Sequence, residues 1–272
     1  MYWEYPAKEF IEYHAPFVDE IIVCDAHSDD GWREHLKTVP KVKVVDFRSQ
    51  NLFTQFGQAG MQKAVAREYC QHPYILHMDI DTFFIGIDKV QRLISDFPDV
   101  DVFPVRIINF YGSFYKINTQ FEGSDPYQHT LMKNNLLIGS GRSWDGSDGA
   151  EFIYVENRQT YLNCIGRKVF FGRYIRECPL VVKNIPDDFS YANHEFALYH
   201  YGWCCRSFET MKLKAQKQVE SQTSSPEGEK AAQYSTRELF KEDDPRLADF
   251  PGEHPAIIKD LIKRIGGGWR FA

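Results

Sequence analysis

The chain has 272 residues, of which 43% are hydrophobic, 15% aromatic and 26% charged, a balance that fits a soluble globular protein with one large or two small domains. A formal charge of −6 argues against a surface that tracks nucleic acid. No run of 18 apolar residues occurs, so no membrane-spanning helix is expected. None of the six cysteines (Cys24, Cys70, Cys164, Cys178, Cys204 and Cys205) forms a C-x-x-C pair, which argues against a zinc site. With no signal peptide ahead of the first amphipathic segment, a reducing cytoplasm is the expected home. Cys24 and Cys70 lie in apolar runs and are expected to be buried thiols.

Residues 7–15 suit a helix with Phe10, Ile11 and His14 on one side. Residues 18–24 read as a buried strand running into Asp25-Ala26-His27-Ser28-Asp29-Asp30-Gly31, a polar turn that ends in a helix start signal. A short helix follows, up to Pro40. Then come a strand over 42–47, a helix over 54–71, a strand over 73–79, a helix over 87–97 and a strand over 100–109. This alternation with short connections predicts a mostly parallel sheet with helices on both faces. Ligands of such sheets sit at the carboxyl ends of the strands, where Asp25, Asp29, Asp79 and Asp81 would lie.

Residues 110–170 mix Gly, Asn, Ser and aromatics, as an acceptor-binding region or long loops would. Strands are expected near 152–155, 178–183 and 196–201, and helices over 206–219 and 255–265. Residues 221–235 read as a polar loop.

The segment Tyr74-Ile75-Leu76-His77-Met78-Asp79-Ile80-Asp81 carries the most chemistry. In an extended backbone residues i and i+2 face the same side, so Asp79 and Asp81 are expected to converge on one point. Two hard carboxylates so placed suit Mg²⁺ or Mn²⁺, ions that keep positions open for substrate phosphates. The plain alternative is a pair of solvated acids in a loop.

The order and spacing of three segments resemble a GT-A glycosyltransferase, close to glycosyltransferase family 2. These are residues 18–23 leading into Ser28-Asp29-Asp30-Gly31, the D-x-D at Asp79-Ile80-Asp81, and Tyr199-His200-Tyr201-Gly202-Trp203, similar to a late H-x-G segment. Phe110-Tyr111-Gly112-Ser113-Phe114 also resembles a recurring piece of one bacterial subgroup. The resemblance covers about residues 4–219. It implies a Rossmann-like GT-A domain over 1–219, with a nucleotide-binding half of about 1–110 and an acceptor-side half of about 111–203. A loop and helical extension would follow over 220–272. Family members begin with a strand before the first helix, whereas this sequence starts almost at that helix.

The implied activity is transfer of a sugar from a nucleotide-sugar, UDP- or GDP-linked, to an acceptor hydroxyl with inversion, in glycan or polysaccharide synthesis. Asp81 and His200 would hold Mn²⁺ or Mg²⁺. Asp79 would contact the ribose or a metal-bound water, and Asp25 and Asp29 the ribose or base. An inverting transfer needs a base at the acceptor hydroxyl. Asp148 matches the Gly/Asp-rich segment of the subgroup, with Asp145 and Glu151 as alternatives. Arg106, Lys133 and Arg142 are candidate phosphate partners, and Trp144 a stacking platform for an acceptor sugar.

Other readings stay open. His200 alone also fits a satisfied core histidine. The whole chain also fits a GT-A-shaped binding or scaffold protein without catalysis. A sugar-1-phosphate nucleotidyltransferase should carry a Gly-rich basic loop after its first strand, and none is present. A translesion polymerase should show a second Ser-x-Asp-Glu motif, also absent.

Overall fold

Ten residues from Val102 to Tyr111 form β5, and Ala197–Trp203 form β10, which runs parallel beside it. Both strands are mostly apolar, as the interior strands of a covered sheet are, with Arg106 and Asn109 on β5 and His200 on β10 as exceptions. The computed structural model of the chain describes residues 4–25, 28, 31–46, 65–100, 102–119, 127–134, 138–142, 150–154, 194–211, 213 and 241–270.

Around the central pair, β4 (Thr82–Ile85) joins β10 antiparallel, β6 (Lys116–Asn118) joins β5, and β11 (Leu247–Asp249) closes that edge. On the other side β7 (Tyr127–Lys133) pairs with β5 and with β3 (Tyr74–Leu76). A separate parallel pair is formed by β1 (Ile21–Asp25) and β2 (Val42–Asp46), and a separate hairpin by β8 (Ile138–Arg142) and β9 (Ala150–Tyr154). Four helices are described in full: α1 (Ala7–His14), α2 (Trp32–Leu36), α3 (Val90–Asp96) and α4 (Ala256–Ile265).

Side-chain alternation divides the sheet cleanly. Phe83, Ile108, Phe110, Tyr199 and Tyr201 pack with Phe10 and Ile11 of α1 and Ile258, Leu261 and Ile262 of α4. Their immediate neighbours Phe84, Ile107 and Leu198 turn the other way, against Leu93 of α3, Ile87 and Val100. The domain is thus an α/β structure with a mixed sheet between helices, in its broad outline like Rossmann and GT-A domains. Arg264 of α4 reaches Glu9 of α1 and ties the C-terminal helix to the first.

The expected mostly parallel sheet is not what forms. Among the described pairings only β1–β2 and β5–β10 are parallel. The four-residue link between β5 and β6 explains part of this, because so short a connection can only return antiparallel. Strands β4, β6, β7, β8 and β11 were not foreseen; β4, β6 and β11 have three to four residues, and β7 and β8 lie in the Gly/Asn-rich middle, too short or too irregular to show a period. The other described elements fall within a few residues of expectation. Residues 54–64, 178–183 and 214–219 of the expected elements lie outside the described residues, as does the expected loop 221–235. No helix among the described residues is long and apolar enough to cross a membrane. Cys24 and Cys70 are half-buried rather than buried, while Cys204 and Cys205 are buried, and all four are free thiols.

Candidate functional site

Register places the site. His200 of β10 stands opposite Asn109 of β5 on one side and Thr82 of β4 on the other. Asp81 immediately precedes β4, and its carbonyl accepts the Tyr201 N–H at 2.9 Å. Asp81 is therefore fixed by its backbone to the strand that carries His200. Pairing between β10 and β5 slips between His200 and Trp203, and Gly202 sits in that irregularity. A glycine inside a strand marks a bulge or a close approach. Here it marks both: a Cβ on Gly202 would stand 2.5 Å from Asp81 Oδ2 and 2.5 Å from His200 Nε2. The carboxylate and the imidazole meet over a residue that has no side chain.

The histidine is oriented. Its Nδ1 lies 2.6 Å from Asn109 Oδ1, an atom that only accepts, so Nδ1–H is the donor. In the neutral ring this leaves the Nε2 lone pair facing Asp81, with Nε2 and Oδ1 3.6 Å apart. Such a back-side hydrogen bond is how metal-ligating histidines are held. Asp81 is nearly enclosed, with 6% of its side chain exposed, and His200 keeps 19%. The contact between them is not a hydrogen bond, since 3.6 Å exceeds that range.

The third member is Arg206. After β10 the chain turns back at once, with the N–H groups of Cys204 and Cys205 both donating to Tyr201 O, at 3.1 and 3.2 Å. That turn returns Arg206 to the site, with its side chain fully buried and Nη2 3.4 Å from Asp81 Oδ2. Its guanidinium carbon lies 4.0 Å from the centre of the Tyr5 ring, a stacked cation–π arrangement. Nε and Nη1 are buried without a hydrogen-bond partner, as is Nδ2 of Asn109. Burial, and after it the Asp81 charge, pushes the Tyr5 hydroxyl up to about 12, so it stays protonated. Residues 4 and 5 are fastened here by Glu4, whose carboxylate accepts from the N–H and hydroxyl of Ser207. Burial also raises the Cys204 thiol well above its usual range, which removes it as a nucleophile.

The acidic pair is not arranged as expected. The Thr82 N–H donates to Asp79 O at 3.0 Å, so residues 79–82 form a turn rather than the end of a strand. A turn sends residues i and i+2 in different directions, and Asp79 is exposed while Asp81 is buried. The two do share a neighbourhood, because both charges act on the Tyr5 hydroxyl.

Asp25 ends β1 and is engaged. Its carboxylate accepts from Ser28 N–H and from Ser28 Oγ at 2.6 Å, and pairs with Arg33 Nη1 at 2.9 Å. Arg33 also grips Asp46 at the end of β2. Burial opposes ionisation of Asp25, but the Ser28 and Arg33 contacts outweigh it and hold its carboxyl below the usual range.

Asp29, Asp145, Asp148 and Trp144 lie outside the described residues. Glu151 falls on β9 opposite Gly141, and Arg142 ends β8 opposite Ala150; these are strand positions flanking the segment 143–149. Arg106 lies on β5 and Lys133 on β7.

The structure therefore brings together Asp81, His200 and Gly202 from the sequence reading and adds Asn109, Arg206 and Tyr5. No group of three or more His, Cys, Asp or Glu side chains that would hold a metal by itself occurs among the described residues. The only sequence signal that bore on the additions was the glycine of H-x-G, which implied that something must approach it closely. Neither a protein-family model nor a curated protein sequence matches this chain.

Proposed function

We propose that the protein is a metal-dependent glycosyltransferase that moves a sugar from a nucleotide-sugar to an acceptor hydroxyl. The observation that carries this reading is the convergence of Asp81 and His200 over Gly202. With the ring neutral, Oδ1 of Asp81 and Nε2 of His200 are two acceptor atoms facing each other at 3.6 Å, and a cation between them would serve both. Neighbouring ligands of one small divalent ion stand roughly 3 to 4 Å apart, so Oδ1 of Asp81 and Nε2 of His200 fit as two ligands of Mn²⁺ or Mg²⁺. The remaining positions would go to water and to the donor's phosphates. When bound, such an ion neutralises charge on a departing diphosphate.

The chain's own residues have separable tasks. Asn109 holds the His200 ring so that Nε2 faces Asp81. The turn at 79–82 buries Asp81 and leaves Asp79 exposed, where it would reach the donor's ribose. Asp25 would shape the turn that carries Asp29. Arg206 supplies fixed positive charge beside the leaving group's position, which favours charge that develops there. The base at the acceptor is assigned to Asp148, with Asp145 and Glu151 as alternatives.

One observation favours a second reading. Arg206 already stands beside Asp81, which fits a binding protein that has replaced its ion by an internal cation. Calorimetric titration with UDP, GDP and their sugars, with and without Mn²⁺, separates the two. Binding that needs Mn²⁺ and is followed by sugar transfer is expected. Binding that ignores Mn²⁺ would favour the non-catalytic reading and sink the metal assignment.

A further inference from the structure

We propose that Arg206 is the resident counter-ion of Asp81 and makes entry of a divalent ion depend on a diphosphate arriving with it; this rests on the metal reading above. A guanidinium cannot shed its proton, so Arg206 is charged in every state of the site. Without a metal, its one positive charge offsets the one negative charge of the buried Asp81. The pair is loose, at 3.4 Å, and two of the three guanidinium nitrogens have no hydrogen-bond partner. A buried guanidinium this poorly satisfied is costly, and the face of Tyr5 compensates only in part.

A divalent ion between Asp81 and His200 changes the balance. The ion and Arg206 together would exceed Asp81 by two positive charges, or by one if the exposed Asp79 also turns in. Glu4 does not help, because Ser207 takes its carboxylate. A surplus of that size in a nearly enclosed site repels the ion. The ligand that removes it must bring two or three negative charges and several acceptor oxygens. A diphosphate supplies both: charge for the ion, and oxygens for Nε and Nη1 of Arg206 and Nδ2 of Asn109. A neutral sugar or a single carboxylate does not. The arrangement therefore links the two ligands, and by reciprocity the ion must strengthen diphosphate binding by the same factor.

The test measures bound Mn²⁺ by electron paramagnetic resonance, with uridine, UMP or UDP added and each nucleotide's own Mn²⁺ complex subtracted. The wild-type protein should bind Mn²⁺ roughly 10-fold or more tightly with UDP than alone, less so with UMP, and with no gain from uridine. Arg206→Met should bind Mn²⁺ alone more tightly than the wild type and lose most of the UDP effect, while Arg206→Lys, which keeps the charge, should retain it. Wild-type Mn²⁺ affinity that is measurable but equal for all three additions would overturn the coupling and leave the metal reading standing. So would an Arg206→Met protein that binds Mn²⁺ no better than the wild type. No Mn²⁺ binding under any condition would overturn both. Should the methionine variant not fold, the wild-type series of three nucleotides still decides the point.

Discussion

Two carboxylates end up beside an arginine in this molecule, and they are treated in opposite ways. Asp25 is closed off: Ser28 and Arg33 bond it at 2.6 to 3.1 Å, and Arg33 goes on to Asp46. Asp81 is more deeply buried, the nitrogens of Arg206 and His200 stand off from it at 3.4 and 3.6 Å, and buried donors of Arg206 and Asn109 lack partners. Burying such donors unsatisfied costs free energy, so an arrangement of this kind needs a reason other than stability. The tight centre organises a turn; the loose one has room and charge for a ligand. The histidines divide in the same manner. His14 donates from Nδ1 to Phe10 O at 2.7 Å and accepts the Phe84 N–H at Nε2. His254 bonds Phe114 O through Nε2 and the Tyr201 hydroxyl through Nδ1. Only His200 of the three presents a ring nitrogen to a carboxylate.

The sharpest test of this contrast is Asp81→Asn. It keeps the volume and removes the charge, and Mn²⁺-dependent UDP binding should fall below detection in calorimetry. Asp25→Asn should retain that binding. Binding retained in Asp81→Asn would erase the distinction between the two centres.

The satisfied histidines predict a large acid effect. Burial lowers both His14 and His254 to about 4, against an ordinary value near 6.5. A depressed folded-state value means that the unfolded chain takes up protons first. The stability contributed by the neutral rings is complete above pH 6.5 and is lost as pH falls toward 4. Each should cost roughly 2 kcal/mol between pH 7 and pH 5, a sizeable share of a domain's usual stability. The groups facing these rings are mostly aromatic and backbone; Lys259 adds a small push in the same direction at His254. Urea unfolding at the two pH values measures the loss, and a flat profile would mean that both rings tolerate charge.

Gly202→Ala should act at the loose centre alone. The added methyl must push Asp81 Oδ2 and His200 Nε2 away from 2.5 Å, and overpacking of this sort costs about 1 to 3 kcal/mol. Mn²⁺ affinity should drop more than stability does, because the two ligands lose their common point. An alanine variant with unchanged Mn²⁺ affinity would show that the convergence has no ligand to serve.

How much of this was visible in the residue order follows from distance along the chain. Asp81, His200 and Gly202 announced themselves through local spacing, and most helices and strands of the first 110 residues through period. The partners did not. Asn109 meets His200 across 91 positions and Arg206 meets Asp81 across 125, and only strand register decides which residues stand opposite. The turn at 79–82 was missed for a related reason. Asp-Ile-Asp fits an extended end or a turn equally well, and the pairing of Thr82 with His200 selects the turn. The parallel sheet was misjudged because strands as short as β4 and β6 have no readable period.

The smallest predicted effect completes the comparison. Asp25→Ala removes the acceptor for Ser28 and one of two carboxylates held by Arg33, but Arg33 keeps Asp46, so the loss is partial. Hydrogen bonds to a charged group are each worth about 1.5 to 3 kcal/mol, and the half-open position of this turn discounts them, to a net loss of about 1 to 2 kcal/mol in urea unfolding. Asp25 is held below its usual range, so its contribution is present above the ordinary carboxylate range and disappears as pH falls through it. The difference between Asp25→Ala and wild type should therefore be constant from pH 8 to 6. Double substitution with Gly202→Ala should be additive, because the two centres share no partner among the described residues. A variant that keeps full stability but loses UDP binding would reverse the assignment: Asp25 would then be a nucleotide contact, and its tight bonds in the unliganded protein would be the ones exchanged on binding.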